Sequence, residues 1–151
     1  MTYITVFIIL CLKMNNCVFC DIISHKIPSY IIDENDEVIA ILPKDMECFW
    51  HTLIIPKKHY ENVFDVNDDS LNNVLKFMKE LAIKYKKHLW VTGINILNAS
   101  WKDAQQTVFH LHFHLIPRFK DDKMDLWPKL EKYEWHQKDD LQKIRDKIFV
   151  K

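Results

Sequence analysis

The sequence predicts an α+β fold: an antiparallel five-stranded meander sheet with two main helices. Three observations carry this. Five short β-type runs are separated by turn signals, one 21-residue segment has strong helical periodicity, and no regular βαβ alternation links them. Tyr30 to Asp33 and Val38 to Leu42 are the first two strands, with Glu34-Asn35-Asp36 as the turn between them. His51 to Ile55 is the third, stopped by Pro56. Asp68 to His88 is the long helix. Leu71, Val74, Leu75, Met78, Leu81, Ala82 and Tyr85 recur at three and four residues, Asn67 is placed to cap it, and Asp68 and Asp69 favour its positive end. Ile94 to Asn98 is the fourth strand, and Thr107 to Ile116 the fifth, stopped by Pro117. A short helix from Val18 to about His25 precedes the strands. A last one, from about Asp139 to Phe149, carries Leu141, Ile144 and Ile148 on one face.

The composition narrows the function. The chain has 151 residues, 48% of them apolar and 28% charged, which suits one globular domain spanning residues 14–151. Thr2 to Leu12 is an apolar N-terminal extension within residues 1–13. It lacks the basic start and small-residue cleavage site of a signal peptide, and a translation start at Met14 is expected. Lys and Arg number 21, as do Asp and Glu, so no whole-domain basic field for gripping nucleic acid is expected. No apolar run is long enough to span a membrane, and a cytoplasmic location is expected. The single glycine, Gly93, argues against a glycine-rich dinucleotide fingerprint or a P-loop.

Two patterns carry chemistry. Cys17 and Cys20 form a C-x-x-C pair, which suggests metal or redox chemistry; metal is preferred because no thioredoxin-like pattern surrounds the pair. His110, His112 and His114 recur at strict period 2. On a strand they share one face while Leu111, Phe113 and Leu115 share the other with Phe109. Three imidazoles then face one site over an apolar back. Such imidazoles can bind a metal, two at a time, because the first and third lie about 13 Å apart on a strand. They can also provide a neutral nucleophile with neighbours that orient it and offset developing charge. Different histidines can do both.

The run HLHFHLIPR at 110–118 resembles the His-x-His-x-His-x-x motif of the histidine triad (HIT) superfamily. CVFCDIISHKIPSYIIDENDEVIAIL at 17–42, HTLIIPKKHYENVF at 51–64 and QTVFHLHFHLIPR at 106–118 are similar to its bacterial and Hint-type branch. The resemblance implies a homodimeric, nucleotide-binding hydrolase or nucleotidyl transferase. It would act at the α-phosphorus of nucleoside phosphoramidates or related conjugates of a purine nucleotide, through a nucleotidyl-histidine intermediate. Dinucleoside polyphosphate hydrolysis, or nucleotide-dependent regulation with weak catalysis, are the alternatives. By position, the resemblance makes His112 the nucleophile, has His114 contact the phosphate and His110 support the site or bind metal, and places His51 beside the triad. Asn98, Gln106 and Thr107 match nucleotide-binding positions. Cys17, Cys20, His59 and His110 match the ligands of a structural zinc in zinc-bearing relatives. Trp127 and Trp135 lie in the segment that could line a partner's site.

Three departures from the family pattern stand out. Pro43 occupies the place of an Asp that binds the ribose hydroxyls, with Asp45 two residues on. Trp50 and Gln105 stand where the family has glycine, in positions that favour positive φ. The loop from Asn98 to Gln106 is one residue longer than usual. The triad histidines remain while the ribose and loop contacts are altered, which implies that catalysis is retained more fully than the usual nucleoside preference.

Overall fold

The computed structural model describes residues 16–44, 46, 48–126 and 138–148, the side chains of 138–142 excepted. The N-terminal extension, Asp45, Trp127 and Trp135 lie outside the described residues, as does the side chain of Leu141.

The elements follow in the order α1 (Val18–Ile23), β1 (Tyr30–Glu34), β2 (Val38–Leu42), β3 (Thr52–Pro56), α2 (Asp68–His88), β4 (Gly93–Leu97), a 3-10 turn (Lys102–Ala104), β5 (Phe113–Arg118) and α3 (Lys138–Ile148). All five strands form one antiparallel sheet in the order β1-β2-β3-β5-β4. The chain leaves β3 through α2, lays β4 on the edge and returns with β5 into the centre.

Local chemistry explains the elements. Asn35 builds the first turn: its Oδ1 accepts the amides of Glu37 and Val38 at 2.9 and 2.8 Å. Asn67 caps α2, its Oδ1 accepting from the Ser70 amide at 2.8 Å. Lys86, Lys87 and His88 complement the other end of that helix dipole. α2 covers one face of the sheet, where Val74, Phe77, Met78, Leu81 and Tyr85 pack on Val38, Ala40, Ile54, Leu111, Phe113 and Leu115. α1 covers the other face, where Phe19 and Ile22 pack on Ile39, Ile41, Leu53 and Ile55. β2 is therefore buried on both faces, its alternate residues feeding opposite cores. The α3 face expected to be apolar leaves Ile148 exposed.

β5 differs from expectation. It spans Phe113–Arg118 rather than Thr107 to Ile116, and it runs through Pro117. β3 has Ile54 opposite Phe113 and β4 has Leu97 opposite His114, so residues before 113 have lost their strand neighbours. Pro117 costs no ladder bond. The Arg118 carbonyl faces β4 and accepts from Thr92, so Pro117 faces the other way, beyond the start of β3 at Thr52 opposite Leu115.

The glycine-poor composition also leaves its mark. Among the described residues, Trp50, Trp90, Trp101 and Gln105 take positive φ, with Asn16, His25, Asp121 and Lys123, while Gly93 does not. The two departures from family glycines, Trp50 at φ 65° and Gln105 at φ 66°, thus sit in the left-handed backbone that the glycine pattern implies.

Candidate active site and metal centre

The period-2 histidines keep their shared direction although only His114 lies within β5. Leu111, Phe113 and Leu115 enter the α2 core, and the imidazoles face away from it. Phe109 departs from the pattern: it is half-buried and meets the Trp101 ring edge-on, with centroids 5.9 Å apart. Backbone contacts replace the missing strand ladder. The Leu111 amide donates to the Tyr60 carbonyl at 2.6 Å, and Asn98 Nδ2 donates to the His112 carbonyl at 2.8 Å.

His110 is fully buried, and its ring meets the cysteines. Its Nε2 donates to the Pro56 carbonyl at 2.8 Å, which turns Nδ1 towards sulfur. That Nδ1 lies 3.4 Å from Cys17 Sγ and 3.6 Å from Cys20 Sγ. His59 Nδ1 lies 3.3 Å from Cys20 Sγ, and its buried Nε2 has no hydrogen-bond partner among the described residues. The four ligand atoms of Cys17, Cys20, His59 and His110 all lie within 4.8 Å of one another. Tetrahedral zinc, with Zn–N about 2.0–2.1 Å and Zn–S about 2.3 Å, needs ligand separations of about 3.3–3.8 Å. Geometry and donor chemistry therefore fit one zinc held by two thiolates and two Nδ1 atoms. Burial pushes the Cys17 thiol up, but hydrogen bonds from His110, His59 and the Cys20 amide, with the His110 charge, bring it to about 5. The C-x-x-C pair thus belongs to a potential metal centre that joins α1, the segment after β3 and the segment before β5.

His112 is 6% exposed and packs edge-on against Phe19, with ring centroids 5.2 Å apart. Its Nδ1 donates to the His110 carbonyl at 2.7 Å, so Nε2 carries the lone pair. Burial holds its pKa below the usual imidazole range, against that hydrogen bond. His114 lies next to it, ring centroids 5.1 Å apart, and its Nδ1 is 2.9 Å from His51 Nε2 with the two rings stacked. Burial first, then the His112 and His51 imidazoles, push His114 down to about 4. At neutral pH the site therefore presents neutral imidazoles, one with a free nitrogen lone pair.

The amide and hydroxyl residues are placed differently from one another. Asn98 fixes the His112 backbone, and Ser100 Oγ donates to Asn98 Oδ1 at 2.7 Å. Gln106 is buried and closes the loop: Oε1 accepts the Trp101 amide at 2.7 Å, and Nε2 donates to the Glu61 and Val108 carbonyls. Thr107 is exposed. Phe19, which touches both His110 and His112, and the Pro56 carbonyl escape sequence reasoning. An apolar helix residue and a backbone oxygen have no distinctive pattern.

The model of the HIT domain matches residues 24–121. The chain belongs to the HIT family. A HIT-like protein of Borreliella burgdorferi, itself uncharacterized, is 43% identical over 111 residues, covering 72% of this HIT protein and 80% of the relative. Adenosine 5′-monophosphoramidase HNT1 of Saccharomyces cerevisiae is 37% identical over 118 residues, with coverage of 76% and 72%. The crystal structure of a zinc-bound histidine triad family protein from Mycobacterium smegmatis superposes with a TM-score of 0.70 at 30% identity. It covers 82% of this HIT chain and 88% of its own. The family match begins after Cys17 and Cys20, so in this HIT protein the quartet joins the matched domain to a preceding segment.

Proposed function

We propose that this HIT protein is a nucleotide hydrolase that cleaves nucleoside phosphoramidates, or related conjugates of a purine nucleotide, at the α-phosphorus. The observation that carries the reading is the His112 imidazole: Nδ1–H tied to the His110 carbonyl, Nε2 left as a neutral nucleophile beside His114. Similarity to a yeast adenosine phosphoramidase supports the substrate class.

His112 Nε2 attacks phosphorus, and the P–N bond breaks as the amine leaves with a proton taken from solvent. Water then attacks the nucleotidyl-histidine, releasing the nucleoside monophosphate and restoring the neutral imidazole. His114 contacts the phosphate oxygens, and its bond to His51 orients it. Asn98 holds His112 in register, Gln106 holds the loop, and Thr107 offers a hydroxyl to the leaving-group side. Zinc on Cys17, Cys20, His59 and His110 would supply structural cross-linking, and the likeness to a zinc-bound relative supports it. His110 is then a ligand that also holds the nucleophile through its carbonyl.

Pairing of two chains completes the reading. β4 is an edge strand with Ile96 and Leu97 exposed, the kind of edge that proteins cover or pair. No helix among the described residues is long and apolar enough to cross a membrane, and the proposed location is the cytoplasm.

The test is mass spectrometry of the protein mixed with an adenosine phosphoramidate. A nucleotidyl adduct on His112 is expected, and His112→Ala should lose turnover while still binding nucleotide. An adduct on another residue, or wild-type turnover in His112→Ala, refutes the assignment.

A further inference from the structure

A pair of buried hydroxyls lies behind His51. Alternation along β3 sends Thr52 and Ile54 to the α2 side of the sheet and Leu53 and Ile55 to the other, the side of the stacked His51 and His114 rings. Thr52 is fully buried, and Tyr85 of α2 is 5% exposed. Thr52 Oγ1 donates to the Trp50 carbonyl at 2.9 Å. Its single proton is thereby used, so it accepts from the Tyr85 hydroxyl, 2.6 Å away. The chain of donors runs from α2 through Thr52 to the peptide group just before His51.

The Trp50–His51 peptide is held at both ends. Its carbonyl takes the Thr52 hydroxyl, and its N–H donates to the Cys48 carbonyl at 3.2 Å. A planar peptide fixed on both sides sets the direction in which the His51 side chain leaves the backbone. That hold has a strain to oppose. Trp50 sits at φ 65°, in left-handed backbone that strains a bulky residue and persists only where its surroundings over-determine it. Rotation there would swing the His51 ring, whose Nε2 meets His114 Nδ1 at 2.9 Å. Packing alone does not account for the two hydroxyls. Buried hydroxyls are costly unless bonded, and an apolar pair of the same shape would fill the space as well.

We propose that Thr52 and Tyr85 are positioning residues: their hydroxyls lock the Trp50–His51 peptide and so hold the His51 ring against His114. Neither residue touches substrate. Helix α2 is thereby coupled, through the thickness of the sheet, to the ring that orients His114. The effect on rate rests on the hydrolase reading, in which His114 contacts the phosphate; the effect on ring geometry does not depend on turnover.

The test compares full-length wild type with Thr52→Val/Tyr85→Phe and Thr52→Ser. The double variant keeps the core volume and removes both hydroxyls together. No buried hydroxyl is left unpaired, so its melting temperature should stay within about 5 °C of wild type. Its kcat for an adenosine phosphoramidate should fall about tenfold with KM within about twofold, because a misplaced group costs rate rather than uniform binding. Without substrate, its nuclear magnetic resonance spectrum should lose the cross-peaks between the His51 and His114 ring protons, which are assigned from their absence in His51→Gln and His114→Gln. Thr52→Ser, which keeps the hydroxyl, should retain both the cross-peaks and the rate. A merely structural role predicts instead that the double variant recovers its rate along with its stability. The proposal is overturned if the double variant keeps either the cross-peaks or the wild-type kcat, or if Thr52→Ser loses them as the double variant does. If the double variant does not fold, Tyr85→Phe alone is read by the same two measures, and full retention of both overturns the proposal. If wild type turns over no phosphoramidate, the hydrolase reading fails by itself and the cross-peaks alone decide this one.

Discussion

His114 should make the stability of this protein acid-sensitive. Its folded pKa is about 4, below the ordinary imidazole value of 6.5, through burial and the neighbouring His112 and His51 rings. The unfolded chain therefore binds this proton more readily than the folded one. The His114 contribution is fully present above pH 6.5 and is lost as pH falls from 6.5 towards 4. A difference of about 2.5 pH units corresponds to about 3.4 kcal/mol at 1.36 kcal/mol per unit. The ring is only about half-buried, so solvent screening reduces this to about 1–2 kcal/mol. The assay is urea unfolding of wild type and His114→Gln at pH 7.5, 6.5, 5.5 and 4.5. Both proteins keep Cys17, whose thiol also titrates at about 5, so its contribution cancels between them. Wild-type stability should fall by about 1–2 kcal/mol more than that of the variant across the series. Parallel curves would refute the placement of His114 in a site that rejects its charged form.

Three further outcomes are expected. Gln105→Gly should stabilise the protein by about 0.5–1 kcal/mol, and Gln105→Ala should not, because only glycine relieves a left-handed backbone; thermal melts of the two variants check this. Protein purified without added metal should contain one zinc per chain, and its removal by a chelator should lower the melting temperature by several degrees, with no such change in Cys20→Ala. Pro43 offers no side-chain acceptor to a ribose, so discrimination against a 2′-deoxy phosphoramidate should be weak; Pro43→Asp should raise it by about 1.5–3 kcal/mol in kcat/KM, and an unchanged ratio would show that another residue holds the sugar.

The residues made some of this legible and hid the rest. α2 was readable to its ends because period 3.6 and an Asn cap agree. β2 was readable because a short apolar run between turn residues has few alternatives. The candidate metal quartet followed from a resemblance, since nothing local links Cys17 to His110 across 93 positions. The start of β5 was not readable. Thr107 to His112 has an alternating pattern, but a strand also needs neighbours, and the pairing ends at Ile54 on β3 and at Leu97 on β4. Gln106 shows a related limit. Its polar side chain suits a ligand or a loop equally, and only the fold brings its three backbone partners together. Pro117 misled for a similar reason, because a proline ends a strand only where its missing N–H faces a partner.

The bulky residues in left-handed backbone have a consequence for how this sequence can change. Trp50, Trp90, Trp101 and Gln105 each hold a conformation that costs of order 1 kcal/mol, and their sum is a sizeable part of the net stability of an ordinary domain. That leaves a narrow margin for accumulating neutral substitutions. Core truncations at Ile39 or Leu115 that a homologue with glycine at such positions would survive should here cross the threshold for folding, and substitutions to glycine at these four loop positions should act as general suppressors of such lesions.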